Sequence, residues 1–161
     1  MDVVEFAGDL NIELLEPQVA FLKRQENKNH HFEIWPRRSG KTAMAKIMIL
    51  HALSEQSDVL LLSPENHNGW QILNSIAISY KKLYPKAKVE RKERGLYHFN
   101  NGVNWLKHAT YDTASKSSFW KGVQPDYIHM DEYKRAPESF RDIWYGDLQT
   151  GFDKITGLSS G

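Results

Sequence analysis

The chain has 161 residues, 40% of them hydrophobic, and 21 Lys and Arg against 20 Asp and Glu give a formal net charge of +1. That length supports one compact domain with its own core, and the near-zero charge excludes a protein that coats nucleic acid, so any nucleic-acid surface must be a local patch. There is no cysteine, which rules out disulfides and cysteine-zinc sites. No apolar run has the length of a membrane span, and the acidic start MDVVEFAGDL is unlike a signal peptide. Of the seven histidines only His30 and His31 are adjacent, so no zinc site is expected.

In chain order, Pro17 suits the first turn of a helix running to about Gln25. QENKNH reads as a loop. HFEIW is short and rich in aromatic and β-branched residues, so it predicts a strand entering WPRRSGKT, Trp35 to Thr42. TAMAKIMILHAL is apolar on nearly every side, as suits a helix buried against a sheet. DVLLL reads as a strand covered on both faces and ends at Ser63-Pro64. Trp70, Leu73, Ala77, Tyr80 and Tyr84 then recur at helical spacing. LYHF and VNWL flank Asn100-Asn101-Gly102, a turn signal that predicts a β-hairpin. Thr110 to Lys121 reads as a loop, DYIHMDE as a strand ending in two acids, PESFRDIWYG as a short helix, and DKITGL as a last strand. The alternation predicts an α/β fold: a mainly parallel central sheet flanked by helices, with the hairpin inserted before the acid-bearing strand.

Two segments carry chemistry. In WPRRSGKT, Gly40 lets backbone N–H groups approach phosphates closely and Lys41 places a point charge beside them. Thr42 offers a hydroxyl to Mg²⁺ at a helix N-terminus, itself favourable to anions. Ser39 completes the Ser-Gly-Lys-Thr tail, but Trp35 stands where a phosphate loop has its first glycine. Alone, the segment also fits a basic turn capping a helix. The second segment, YIHMDE, supplies Asp131 to hold Mg²⁺ and Glu132 to orient and polarise an attacking water. Alone, it also fits a solvated strand end. Together and in this order they read as a nucleoside-triphosphate site, and Glu132 favours hydrolysis over transfer to a second substrate.

The order of motifs resembles the ATPase domain of phage large terminase subunits, the motors that package viral DNA. The resemblance rests on EPQVAFLK, RRSGKT, VLLLSPENHNGWQI, FNNGVNWL, FWKGVQPDYIHMDEY and KITGLSSG. These correspond to the family's glutamine motif, its arginine-rich variant of the Walker A loop, a strand-Pro-helix segment, the Asn-Gly hairpin, the basic-Gly element leading into Walker B, and the coupling motif. The resemblance implies a P-loop NTPase of the additional-strand, catalytic-glutamate type, with ATP and Mg²⁺ as its ligands. Gln18 would read adenine, whose edge an amide can meet with one donor and one acceptor. Arg37 would sense or stabilise the γ-phosphate, with Arg38 the competing residue, and Ser159 would couple hydrolysis to movement. Two departures stand out: Lys121 where the family more often has arginine, and no proline after the coupling serines.

The same resemblance implies double-stranded DNA, a portal protein and a small terminase subunit as partners. It also implies a homo-oligomeric ring at work and a place in the host cytoplasm during virion assembly. The chain reads as a single ATPase domain over residues 1–161, C-terminally truncated and without the family's nuclease domain. Two other readings remain. One is a helicase-like DNA-remodelling ATPase, which strand separation without packaging partners would favour. The other is a non-hydrolysing nucleotide-gated assembly module, which tight ATP binding without turnover would favour. KAKVERKER, Lys86 to Arg94, reads as a solvated face, while Lys116 and Lys121 are better placed to touch a DNA backbone. Trp70, Trp105, Trp120 and Trp144 read as core or interface residues, and His129 as a packed core histidine.

Overall fold

A computed structural model of the chain describes residues 2–37, 39–144 and 154–160. Its strands are β1 (His30–Trp35), β2 (Val59–Ser63), β3 (Val89–Glu93), β4 (Leu96–Phe99), β5 (Asn104–Thr110), β6 (Tyr127–Asp131) and β7 (Lys154–Ser160). They form one seven-stranded sheet in the order β1-β7-β6-β2-β5-β4-β3. β1, β7, β6, β2 and β5 run parallel to one another, and β4 is antiparallel to both β5 and β3. The helices are α1 (Val3–Asp9), α2 (Glu16–Glu26), α3 (Lys41–Ser54), α4 (Asn66–Leu83), α5 (Tyr111–Ala114), α6 (Ser117–Lys121) and α7 (Glu138–Ile143), with a 3-10 turn at Tyr133–Arg135. None of the described helices is long and apolar enough to cross a membrane.

The alternation of strand side chains divides the core into two layers. Val59 and Leu61 of β2 pack with α1 to α4, whereas Leu60 and Leu62 pack with α5 to α7. Covered on both faces, β2 must be apolar throughout, as its sequence is. α3 lies under the sheet with Met44, Ala45, Ile47, Met48, Ile49, Leu50 and Leu53 buried, which fits its apolar composition.

Several elements differ from the sequence expectation. The expected hairpin forms from β4 and β5, and beyond that expectation it belongs to the main sheet, because β5 pairs with β2 and β4 extends the sheet. Its turn holds Asn100, Asn101 and Gly102 in the left-handed region at φ 55°, 60° and 82°, which explains the two asparagines. The basic run beyond it is solvated, yet it contains the edge strand β3, paired with β4 on one side. Residues 110–121 hold two short helices rather than a loop. The Thr110 hydroxyl accepts from the Thr113 amide at 3.2 Å to start α5, and the Trp120 indole donates to the Ala114 carbonyl at 2.8 Å and is buried. α1 has no counterpart in the sequence expectation. Its Asp2 cap accepts from Glu5 N at 2.8 Å, and Val3, Phe6 and Ala7 are buried. The expected helix and last strand reach into residues 145–146 and 153, which lie outside the described residues.

His129 is a core histidine, as its place in the sequence suggests: it is fully buried, with Nδ1 2.8 Å from the Tyr127 hydroxyl. Trp120 and Trp144 are core residues, while Trp70 and Trp105 are half-buried.

β1 is pinned to α2 by a buried-edge cluster. Arg24 donates two hydrogen bonds to Glu33, at 2.8 and 2.9 Å, and Trp35 Nε1 donates to the same carboxylate at 3.0 Å. His31 completes the set. The Trp35 ring meets Phe21 edge-on at 5.0 Å and is buried. Burial alone would raise the Glu33 carboxyl, but the hydrogen bonds from Arg24, His31 and Trp35 outweigh it and hold it at about 2.

Two predictions follow from this packing. Gly69 of α4 is the point where the His108 ring crosses the helix, and an added Cβ would lie 2.1 Å from that ring. A mid-helix Gly→Ala change ordinarily gains up to about 1 kcal/mol, whereas Gly69→Ala should lose about 1–3 kcal/mol by overpacking. The denaturant midpoint of the variant reads this, and an unchanged or higher midpoint would contradict the packing. The second concerns acid. Because Glu33 is depressed on folding, its contribution is complete above its ordinary carboxylate value and lost as pH falls toward 2. Glu33→Gln should therefore be less stable at neutral pH and flatten the stability loss over that window, measured by urea unfolding. An equal slope in both proteins would contradict the cluster.

Candidate functional site

The parallel strands β1, β7, β6 and β2 all end at one edge of the sheet, where the functional residues gather. β1 leads through Pro36 and Arg37 into the loop before α3. Gly40 has φ 85°, a left-handed conformation that favours glycine, and it serves as the N-cap of α3. The loop is braced internally, with Ser39 Oγ donating to the Pro36 carbonyl at 2.5 Å. It is also braced from α2. Gln18 Nε2 donates to the Ser39 carbonyl at 3.3 Å, while Gln18 Oε1 accepts from Leu15 N at 2.9 Å. A Cβ on Gly40 would lie 2.6 Å from Gln18 Nε2, so a side chain there would displace the Gln18 amide from the loop.

Lys41, the first residue of α3, points toward the acids rather than along its own helix. Its Nζ donates to Glu132 Oε1 at 2.5 Å and also donates to Ser160 Oγ. Ser160 Oγ in turn donates to Glu132 Oε1 at 3.0 Å, and Ser160 N to Glu132 Oε2 at 3.4 Å. One lysine therefore ties together the ends of β1, β6 and β7. Glu132 follows the last residue of β6 in a left-handed conformation, φ 49° and ψ 48°, uncommon for a residue with a side chain. Its amide donates to the Leu158 carbonyl at 2.8 Å. This bend swings the Glu132 carboxylate out of the strand and toward Lys41.

The two acids have opposite electrostatics. Burial would raise the Glu132 carboxyl, but hydrogen bonds from Lys41 and Ser160 overcome it and hold the group below the ordinary carboxylate value. Burial and the adjacent Glu132 charge push Asp131 up to about 6, with Lys41 and Arg135 offsetting only part. Two neighbouring carboxyls are thus pushed in opposite directions by their surroundings. The Asp131 carbonyl accepts from the buried Tyr111 hydroxyl at 2.7 Å, fixing the end of β6 to α5.

The structure thus brings Lys41 and Glu132 together, and Gln18 with Ser39 and Gly40. Asp131 sits at the end of β6 immediately before Glu132. Arg37 is exposed on the loop, and Thr42 is exposed in the first turn of α3. Arg38 lies outside the described residues. Ser159 is buried, and its hydroxyl accepts from Lys134 N at 3.4 Å, facing away from Lys41. Ser160 is the serine at the site. The signal that separates them is strand alternation, which sends neighbouring serines to opposite faces but does not say which face holds the lysine until register is known. Lys121 ends α6 and is exposed. Among the described residues no group of three or more His, Asp or Glu could hold a metal ion by itself.

No protein-family model and no curated protein matches the chain. Solved structures do. The large terminase ATPase domain of Thermus phage P74-26, as a point mutant, matches with a TM-score of 0.75 over 96% of this chain and 68% of that one, at 16% identity. The large terminase of a thermophilic bacteriophage in complex with ATP-gamma-S matches with a TM-score of 0.65 at 13% identity, over 91% of this chain and 38% of that one. The N-terminal domain of the DNA packaging ATPase from bacteriophage phi29 matches with a TM-score of 0.62 at 14% identity, over 90% of this chain and 78% of that one. The seven-stranded, mostly parallel α/β sheet with β7 between β1 and β6 is therefore the fold of phage DNA-packaging ATPase domains.

Proposed function

We propose that the chain hydrolyses ATP to drive double-stranded DNA into a procapsid, as the ATPase domain of a large terminase. The observation that carries this reading is the contact of Lys41 with Glu132 and Ser160 across three strand ends. A lysine at a helix N-terminus beside a bent-out, ionised glutamate has the parts for triphosphate hydrolysis. The likeness to a terminase solved with ATP-gamma-S and to a DNA packaging ATPase supports it.

The residues present fit a magnesium-nucleotide. Burial, with the neighbouring Glu132 charge, pushes the half-buried Asp131 carboxyl up to about 6, and a divalent cation there would favour its ionised form. Asp131 and Thr42 would hold Mg²⁺, which neutralises charge on the phosphate oxygens. Gln18, already against the loop, would turn its amide to adenine. Ser39, Gly40 and Lys41 would cradle the phosphates, Lys41 exchanging its contact with Glu132 for one with the triphosphate. Glu132, released, accepts a proton from the water that attacks the γ-phosphorus, and the β–γ bridging oxygen leaves on ADP. Arg37, with Arg38 as its alternative, would meet the charge on the transferring group. Ser160, bonded to both Lys41 and Glu132, is placed to register loss of the γ-phosphate, and this role passes to it from Ser159. The working form would be a homo-oligomeric ring on a portal, loaded with the small subunit in the host cytoplasm, since one domain cannot hold DNA through a stepping cycle.

ATP turnover, with and without duplex DNA, tests the reading. Wild-type protein should hydrolyse ATP slowly and faster with DNA, and Lys41→Ala should lose both rates. Arg37→Ala should bind ATP but lose up to ~10³–10⁵ in turnover if it is the stabilising arginine. A DNA-independent rate equal in Lys41→Ala and wild type would overturn the assignment.

A further inference from the structure

A second cluster of functional groups lies at the same edge of the sheet, away from Lys41. The β3–β4 turn, Arg94-Gly95, is held there by the His108 amide donating to the Gly95 carbonyl at 2.8 Å, and β5 ends two residues later at Thr110, opposite Ser63. Between this turn and α4 is a cleft of about 260 Å³ lined by His67, Trp70, Asn74, Arg91, Arg94 and Tyr97, among others. No carboxylate lines it. The Tyr97 hydroxyl donates to Asn74 Oδ1 at 3.2 Å, so the Asn74 amide has its NH₂ left to offer. Among the described residues neither Arg91 nor Arg94 pairs with a carboxylate, whereas neighbouring Lys92 is paired with Glu90 at 3.3 Å. Five basic and two acidic residues fall between positions 86 and 94, in a chain of net charge +1, so the positive charge is local.

We propose that this cleft, between α4 and the β3–β4 turn, is a contact site for the phosphate backbone of duplex DNA, with Arg91 and Arg94 as its two cationic ligands. The inference rests on the packaging reading and gives it a surface. A cleft with two guanidinium groups, a free amide NH₂ and no carboxylate suits a phosphate. Arg94 stands over the Trp70 ring at 5.0 Å, which orients the guanidinium and occupies an aromatic face. Of the other rings here, Tyr97 is buried and the His67 imidazole is bonded to Gln71 at 3.1 Å. Single-stranded nucleic acid binds by stacking bases on free aromatic faces. Here those faces are taken, so the site recognises backbone and carries no sequence information. Its position on the edge shared with Lys41 places the DNA contact and the hydrolytic site on one side of the sheet. His108 fastens the turn to the end of β2: its ring is bonded to Ser63 Oγ at 2.6 Å, and that hydroxyl donates to Glu65 O at 2.9 Å.

The test is fluorescence anisotropy of a labelled duplex across a salt series, with DNA-stimulated and basal ATP turnover measured alongside. The proteins are wild type, the Arg91→Gln/Arg94→Gln double variant, Arg94→Lys, and Lys23→Gln on α2 as a surface-charge control. The double variant should lose about two units of the slope of log affinity against log salt, one per phosphate contact. It should also lose DNA stimulation while keeping basal turnover, which shows that it folds. Arg94→Lys should keep the slope, and Lys23→Gln should match wild type. An unchanged slope in the double variant, with wild type still bound and stimulated by duplex, overturns this site and leaves the packaging reading standing. Tighter binding of single-stranded DNA or RNA through the same arginines overturns the duplex assignment. A wild-type protein that neither binds duplex nor is stimulated by it overturns both.

Discussion

The arrangement depends on one ion pair, Lys41 with Glu132, with Ser160 bonded to both. The partners come from positions 41, 132 and 160, far apart in sequence. They meet because β7 lies between β1 and β6, bonded to each in parallel register. With Trp35 opposite Ser160, and Asp131 opposite Leu158, the loop after β1 and the bend after β6 open onto the same end of β7. Shifting β7 by one residue would exchange Ser159 for Ser160 at the lysine. The contact is therefore a consequence of register.

The ion pair also sets the two neighbouring acids apart electrostatically. Lys41 and Ser160 hold Glu132 ionised, while burial and that same ionised neighbour push the Asp131 carboxyl up. In the proposed reading, a magnesium-triphosphate would act on both groups, the cation favouring ionised Asp131 and the phosphates competing with Glu132 for Lys41. The left-handed backbone of Glu132 is what puts its carboxylate in reach, and it is the clearest local strain at the site.

Much of this was legible in the sequence. The Ser-Gly-Lys-Thr tail, the buried helix after it, the all-apolar β2 and the acid pair each carry a local pattern with a physical reason. What was not legible depended on distant partners. β3 reads as a charged surface because it is a solvated edge strand, paired with β4 alone among the described residues. α1 is seven residues long and gains its stability from α2 and α3 rather than from periodicity. The choice between Ser159 and Ser160 required the pairing of β7. Trp35 stands out in the sequence because a phosphate loop has its first glycine there. In the fold it is an anchor, packed on Phe21 and bonded to Glu33, which fastens the loop to α2 from behind.

The central claim is that Glu132 handles water while Lys41 holds phosphate, two roles the structure couples through one contact. The most direct measurement is ATP affinity together with single-turnover hydrolysis in Glu132→Gln, an isosteric change that keeps a hydrogen bond to Lys41 but removes the base. The account predicts ATP binding near wild type and a hydrolysis step slowed by ~10²–10⁴. A wild-type hydrolysis rate in that variant would contradict it.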